Sequence, residues 1–118
     1  MNTKETLVVA FLKTLNDDDF EAAKNYLAQG FTFKGLRKRR LGIDQFIDAI
    51  KTVEHTYTIK NIYSNGRDVC VIYDIIIPDD ENVTTCGIYQ VKRDKIRSMN
   101  VIFDTRTITA SRGKIVIE

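Results

Sequence analysis

The spacing of apolar residues in this chain changes once, near residue 52, and that change decides what it can fold into. Up to Lys51 they recur at helical intervals: Leu7, Phe11, Leu12 and Leu15, then Phe20, Ala23 and Leu27, then Ile43, Phe46, Ile47 and Ile50. From residue 56 onward they alternate, in TYTIKNIYS, DVCVIYDIII, NVTTCGIYQV and KIRSMNVIFD. A helical repeat buries one stripe, and a repeat of two buries one face of a strand. Three helices followed by a meander of antiparallel strands is an α+β arrangement.

Turn and cap residues punctuate this pattern. Thr3 stands where it can cap a first helix over residues 3–15, and Asp18 with Glu21 has capping-box spacing for a second. Gly30 is placed to end that helix in a left-handed conformation. Phe31 and Phe33 then share one side of a short strand over residues 31–34. Asn65-Gly66 predicts a type I′ hairpin, residues 78–82 turn the next pair, and Arg93-Asp94 the last. Centring the middle hairpin on Asp79-Asp80 sets Tyr73 opposite Cys86, Val71 opposite Ile88 and Ile75 opposite Thr84. Met99, Val101 and Phe103 join that face. The other face then carries Cys70, Ile72, Asp74, Ile76, Val83 and Tyr89. Both faces are apolar and both need cover. The helices cover one, and a second copy of the chain is expected on the other.

Composition narrows the function. At 118 residues, 43% hydrophobic and 29% charged, the chain reads as one ordinary globular domain. No run approaches the ~18 apolar residues of a membrane span, and the start lacks the basic, uninterrupted apolar pattern of a secretory leader. A cytoplasmic protein is expected, with Cys70 and Cys86 reduced. One histidine and two cysteines make a poor structural zinc set, so neither metal nor cofactor is expected. The net charge of +2 is the balance of separate blocks, acidic at residues 17–19 and 79–81 and basic at residues 34–40. That basic run contains no aromatic residue to stack on bases, so nucleic acid is not the expected partner.

FLKTLNDDDFEAAKNYLAQGFTFKG, LGIDQFIDAI and TCGIYQVKRDKIRSMNVIFD together resemble the SnoaL-like branch of the nuclear-transport-factor-2-like (NTF2-like) superfamily. The resemblance spans residues 3–106; residues 107–118 lie beyond it, as an extra edge strand or an arm. It implies a cone, a curved antiparallel sheet packed on three N-terminal helices around an apolar cavity, and a homodimer. The superfamily holds isomerases, polyketide cyclases, epoxide hydrolases and non-enzymatic modules, so fold does not settle activity. The catalytic sets of its enzymes do not carry over. Where ketosteroid isomerases place a tyrosine, a carboxylate base and a protonated aspartate, this chain has Phe11, Gly35 and Cys86. The cyclase aspartate falls in Thr84–Gly87, which has no carboxylate. Asp74 matches one member of the epoxide-hydrolase triad, with Ile72 and Val101 at its partners' places.

The resemblance and the strand register together nominate Phe11, Phe33, Tyr57, Tyr73, Cys86, Met99, Val101 and Phe103 as the lining of a pocket. The expected ligand is a small apolar or amphipathic molecule, and whether it is turned over is left open. Cys86, Tyr73 and His55 are the groups able to do chemistry there; Asp74, on the outer face in this register, joins them only if the strand slips by one residue. Cys86 needs a nearby base to become a nucleophile, and His55 is the one histidine available. Arg37, Lys38, Arg39 and Arg40 are placed to steer an anionic ligand at the pocket rim, since arginine forks match carboxylate and phosphate. The competing reading is a non-catalytic dimerisation or protein-interaction module.

Overall fold

The first helix, α1 (Thr3–Asn16), is capped by Asn2 and not by Thr3: the Asn2 carboxamide accepts from Glu5 N–H, and the Glu5 carboxylate accepts from Asn2 N–H. Val8, Phe11, Leu12 and Leu15 form its buried stripe. Asp18 turns the chain with a φ of 56°, and Asp19 caps α2 (Phe20–Asn25) by accepting from Ala22 N–H. In α3 (Ile43–Ile50) the side chain of Gln45 accepts from Gly42 N–H, and Phe46, Ile47 and Ile50 are buried. The computed structural model describes residues 1–35 and 40–103.

The strands are β1 (Leu27–Lys34), β2 (Arg40–Leu41), β3 (Thr56–Ser64), β4 (Asp68–Ile76), β5 (Val83–Lys92) and β6 (Lys95–Phe103). They form one six-stranded sheet in the order β2-β1-β6-β5-β4-β3. The expected meander is there, but the sheet is mixed, because β1 runs parallel to β6. Gly30 does have a left-handed φ of 86°, yet it lies inside β1 and not at a helix end. Five steps of β1, from Leu27 to Thr32, face two steps of β6, from Ile96 to Ser98. Glycine relieves the backbone at this bulge. A second bulge at Lys60 lets Tyr57, Ile59 and Ile62 all stay on the inner face.

The turns explain the register. The β3–β4 hairpin closes one residue later than expected: Asn65 pairs with Asp68, and Gly66 at φ 66° takes the first central position. That is the type II′ pattern and not type I′. The β4–β5 loop opens with Asp80 N–H donating to Ile77 C=O across Pro78 and Asp79, with Asp79 at φ 63°. Proline then a positive φ is a type II turn, and the hairpin centres on Asp79 alone. Tyr73 therefore lies opposite Thr85, Val71 opposite Gly87 and Ile75 opposite Val83. This half-residue shift reverses every side chain of β5. Val83, Thr85, Gly87 and Tyr89 face inward, and Cys86 faces out. The last turn has both Arg93 and Asp94 at positive φ, as a type I′ turn demands.

The core fills the concave side. Phe46 of α3 stacks at 4.9 Å from Phe33 and 5.5 Å from Phe31, fastening the helix to β1. Phe11 of α1 meets Tyr89 of β5 edge-on at 6.4 Å. Each such ring contributes about 1.5–3 kcal/mol by leaving water.

Candidate functional site

The curl of the sheet around α3 leaves a cavity at one end of the core. Its apolar wall is Phe33, Phe46, Ile50, Val53, Ile75, Ile77, Met99, Val101 and Phe103; His55, Tyr57 and Tyr73 supply its polar atoms. The space open to the centre of a water molecule is about 30 Å³, room for two or three waters. A larger groove of about 250 Å³ shares Ile50, Val53 and His55 with it and is flanked by Asp18, Lys51 and Glu54.

Asn16 sets the geometry of the mouth. Its side chain accepts from Tyr57 N–H at 2.8 Å and donates to Tyr57 C=O at 2.9 Å. Tyr57 lies on the edge strand β3, so the carboxamide takes the place of a missing neighbour strand. Tyr57 is thereby pinned to the end of α1 with its ring turned inward. His55 Nδ1 lies 2.5 Å from Val53 C=O, which can only accept, so that nitrogen carries a proton. In the neutral ring Nε2 is then left to accept from the Tyr57 hydroxyl at 3.1 Å. The Tyr57 ring meets that of Tyr73 edge-on at 5.1 Å. Deeper in, the Tyr73 and Tyr89 hydroxyls bond to each other at 3.2 Å. Both lie over Gly87, where a Cβ would come within 2.9 Å of the Tyr73 oxygen.

Burial pushes the Tyr57, Tyr73 and Tyr89 hydroxyls far above the usual tyrosine pKa, reinforced for Tyr57 by Tyr73 and for Tyr89 by Tyr73. They are neutral donors and acceptors across any physiological pH. Neutral donors in a dry wall hold or polarise a carbonyl or hydroxyl oxygen well. His55 is the one imidazole lining the cavity among the described residues. No carboxylate among the described residues lines the cavity. Among the described residues no three His, Cys, Asp or Glu side chains gather to hold a metal ion.

Six of the eight nominated lining residues stand at the cavity wall: Phe33, Tyr57, Tyr73, Met99, Val101 and Phe103. Phe11 is fully buried but packs deeper, against Tyr26 and Tyr89. Cys86 is corrected to the outer face, where its sulfur meets that of Cys70. A Cys86–His55 pair is therefore excluded, because the sheet stands between them. Asp74 also faces out, accepting from Thr84 at 3.0 Å and pairing with Lys60 at 3.3 Å. Arg40 is exposed on β2, opposite Lys34. Arg37, Lys38, Arg39 and the segment 107–118 lie outside the described residues. Sequence reasoning missed Asn16, and it turned Tyr89 outward. Gly87 carried the signal for Tyr89, since glycine inside a strand marks a close approach from above.

No helix among the described residues is long and apolar enough to cross a membrane. No protein-family model matches the sequence, and no curated protein does. Solved structures do. One is that of an NTF2-like protein of unknown function from Cytophaga hutchinsonii, 30% identical, with a TM-score of 0.81 over 92% of this chain and 96% of that one. A protein named for its likeness to SnoaL-like polyketide cyclases, from Shewanella putrefaciens, superposes with a TM-score of 0.80 at 15% identity, over 98% and 88% of the two chains. An LEH-like epoxide hydrolase of M. tuberculosis gives 0.78 at 21%, over 92% and 90%. The last two share the fold, and their catalytic names stay with them. The first shares sequence over nearly the full length of both chains, and with the cone described above it shows that this chain belongs to the NTF2-like proteins.

Proposed function

We propose that the cone binds a small, largely apolar molecule carrying one hydrogen-bonding oxygen, with its apolar part among the aromatic walls and its polar end at the mouth. The observation that carries this reading is the His55–Tyr57 hydrogen bond, placed where the inner cavity and the outer groove share their wall. A bound carbonyl would accept a hydrogen bond from the Tyr57 hydroxyl; a bound hydroxyl would donate one to His55 Nε2. The likeness to folds that carry cyclase and epoxide-hydrolase names agrees with small-molecule binding. If the site turns its ligand over, His55 is the base and the tyrosines the electrophilic donors. Because the cavity is smaller than a six-membered ring, binding such a ligand would require its wall to widen, and Ile50 and Val53 are shared with the outer groove.

The outer face of the sheet is the proposed contact with a second copy. Ile72, Cys86 and Ile102 form one cross-strand row, flanked by Cys70 and Ile88. Ile102 is 60% exposed and Tyr63 56% exposed in the single chain, an apolar surface that association would remove from water. Sedimentation of the purified chain is expected to show a dimer, and Ile102→Glu a monomer. A monomeric unaltered chain sinks the assignment.

A titration with cyclic ketones and alcohols of five to ten carbons, followed by NMR, tests the pocket. Saturable shifts at His55, Tyr57 and Val101 are expected, weakened about five- to tenfold in Tyr57→Phe for loss of one hydrogen bond. Absence of saturable shifts up to the solubility limit rejects the binding reading. The small cavity volume would then favour the second reading, a dimerisation module whose cone is simply its core.

A further inference from the structure

Cys70 and Cys86 sit on neighbouring strands of the outer face, one diagonal step apart, with Cys70 opposite Ile88 and Cys86 opposite Ile72. Both are free and half-buried. Their sulfurs are 3.1 Å apart, nearer than two unbonded sulfur atoms ordinarily pack. A disulfide needs about 2.05 Å, so closure asks for about one ångström of movement. Side-chain rotation and local coiling of a two-strand ladder can supply that. Burial, with the neighbouring Cys70 thiol, pushes the Cys86 thiol up to about 11, so at neutral pH it rests protonated.

We propose that Cys70 and Cys86 form a reversible thiol–disulfide exchange site, closed to an intrachain β4–β5 disulfide by a low-molecular-weight disulfide of the glutathione type. One protein thiolate attacks the glutathione disulfide and expels a glutathione thiolate, leaving a mixed disulfide. The second protein thiolate then attacks the protein sulfur of that bond and expels the second glutathione. The pair loses two electrons and two protons, and two glutathione thiols are formed. Because the bond is drawn across strands already held by their ladder, it belongs with the strained, readily reduced disulfides. The inference rests on this pair alone, and neither the cavity nor the proposed dimer enters it.

The test incubates the folded chain with glutathione disulfide, quenches with acid, labels remaining thiols with a maleimide and reads the intact mass. It is run on the unaltered chain and on Ile102→Glu, so that cover by a second copy cannot hide the sulfurs. Expected are loss of two hydrogens without label, a crosslinked Cys70–Cys86 peptide, and return of both labelling sites with dithiothreitol. Cys70→Ser and Cys86→Ser are each expected to stop at one mixed disulfide. Closure should quicken toward about tenfold per pH unit between neutrality and pH 9, since the thiolate reacts. The proposal is overturned if Cys70 and Cys86 both stay labelled in Ile102→Glu. It is equally overturned if the chain stops at mixed disulfides or forms only interchain bonds.

Discussion

At the scale of single residues, the fully buried Tyr73 and Tyr89 share one hydrogen bond. Removing one hydroxyl strands the other. Tyr73→Phe should cost about 1–3 kcal/mol, the penalty of a buried group left without its partner. Removing both should cost less than the sum of the single changes, and the double variant Tyr73→Phe/Tyr89→Phe is expected to be at least as stable as the worse single one. Urea unfolding of the three variants measures this, and strict additivity would contradict it. The same residues show why sequence reading reached the wall of the cavity but mistook part of it. Alternation in β4 and β6 placed Tyr73, Met99, Val101 and Phe103 correctly inward. In β5 both sets of alternate positions are plausible, with Cys86 and Ile88 on one side and Thr85 and Tyr89 on the other. Hydrophobicity could not choose between them, and the Pro78–Asp79 turn could.

Among the elements, the helices and the four long strands of the meander were visible from local periodicity, whereas the end of α2 and the start of β1 were misplaced at Gly30. What bound them to each other was less visible. The parallel pairing of β1 with β6 and the bulge at Gly30 depend on partners far away in sequence. So does the clasp of Asn16 on Tyr57, which joins the end of α1 to an edge strand across 41 residues. Asn16→Ala would leave one donor and one acceptor of Tyr57 without their protein partner. A loss of about 1–3 kcal/mol is expected, because water reaches part of this site. Hydrogen exchange should reveal it as faster opening of residues 56–59, with the β4–β5 ladder unchanged. Uniform loss of protection would show that the clasp does not act locally.

For the molecule as a whole, three buried tyrosines share one consequence for pH. Their folded pKa values are raised, so folding favours the protonated hydroxyls. The stability they contribute is fully present below the unfolded tyrosine pKa of about 10. It declines as pH rises above that value, because the unfolded chain releases protons that the folded chain keeps. Each contributes a slope approaching about 1.4 kcal/mol per pH unit. Unfolding free energy should therefore hold steady from pH 7 to 9 as far as these groups are concerned and fall steeply beyond 10. Phenolate absorbance from these three tyrosines should appear together with unfolding. Absorbance from all three tyrosines in the still-folded chain would contradict their burial. The family itself was legible from three stretches of sequence, since they encode the helices and the last hairpin that define the cone.

The parallel seam between β1 and β6 also orders events in time. Lys34 ends one strand and Lys95 begins the other, so during synthesis the first strand waits for about sixty further residues. At about 5–20 residues per second that interval lasts several seconds. Throughout it Phe31 and Phe33 have α3 to lean on but no neighbour on the β6 side. The newborn chain is thus an unclosed cone until its last described strand arrives, and those seconds are when a chaperone would find it.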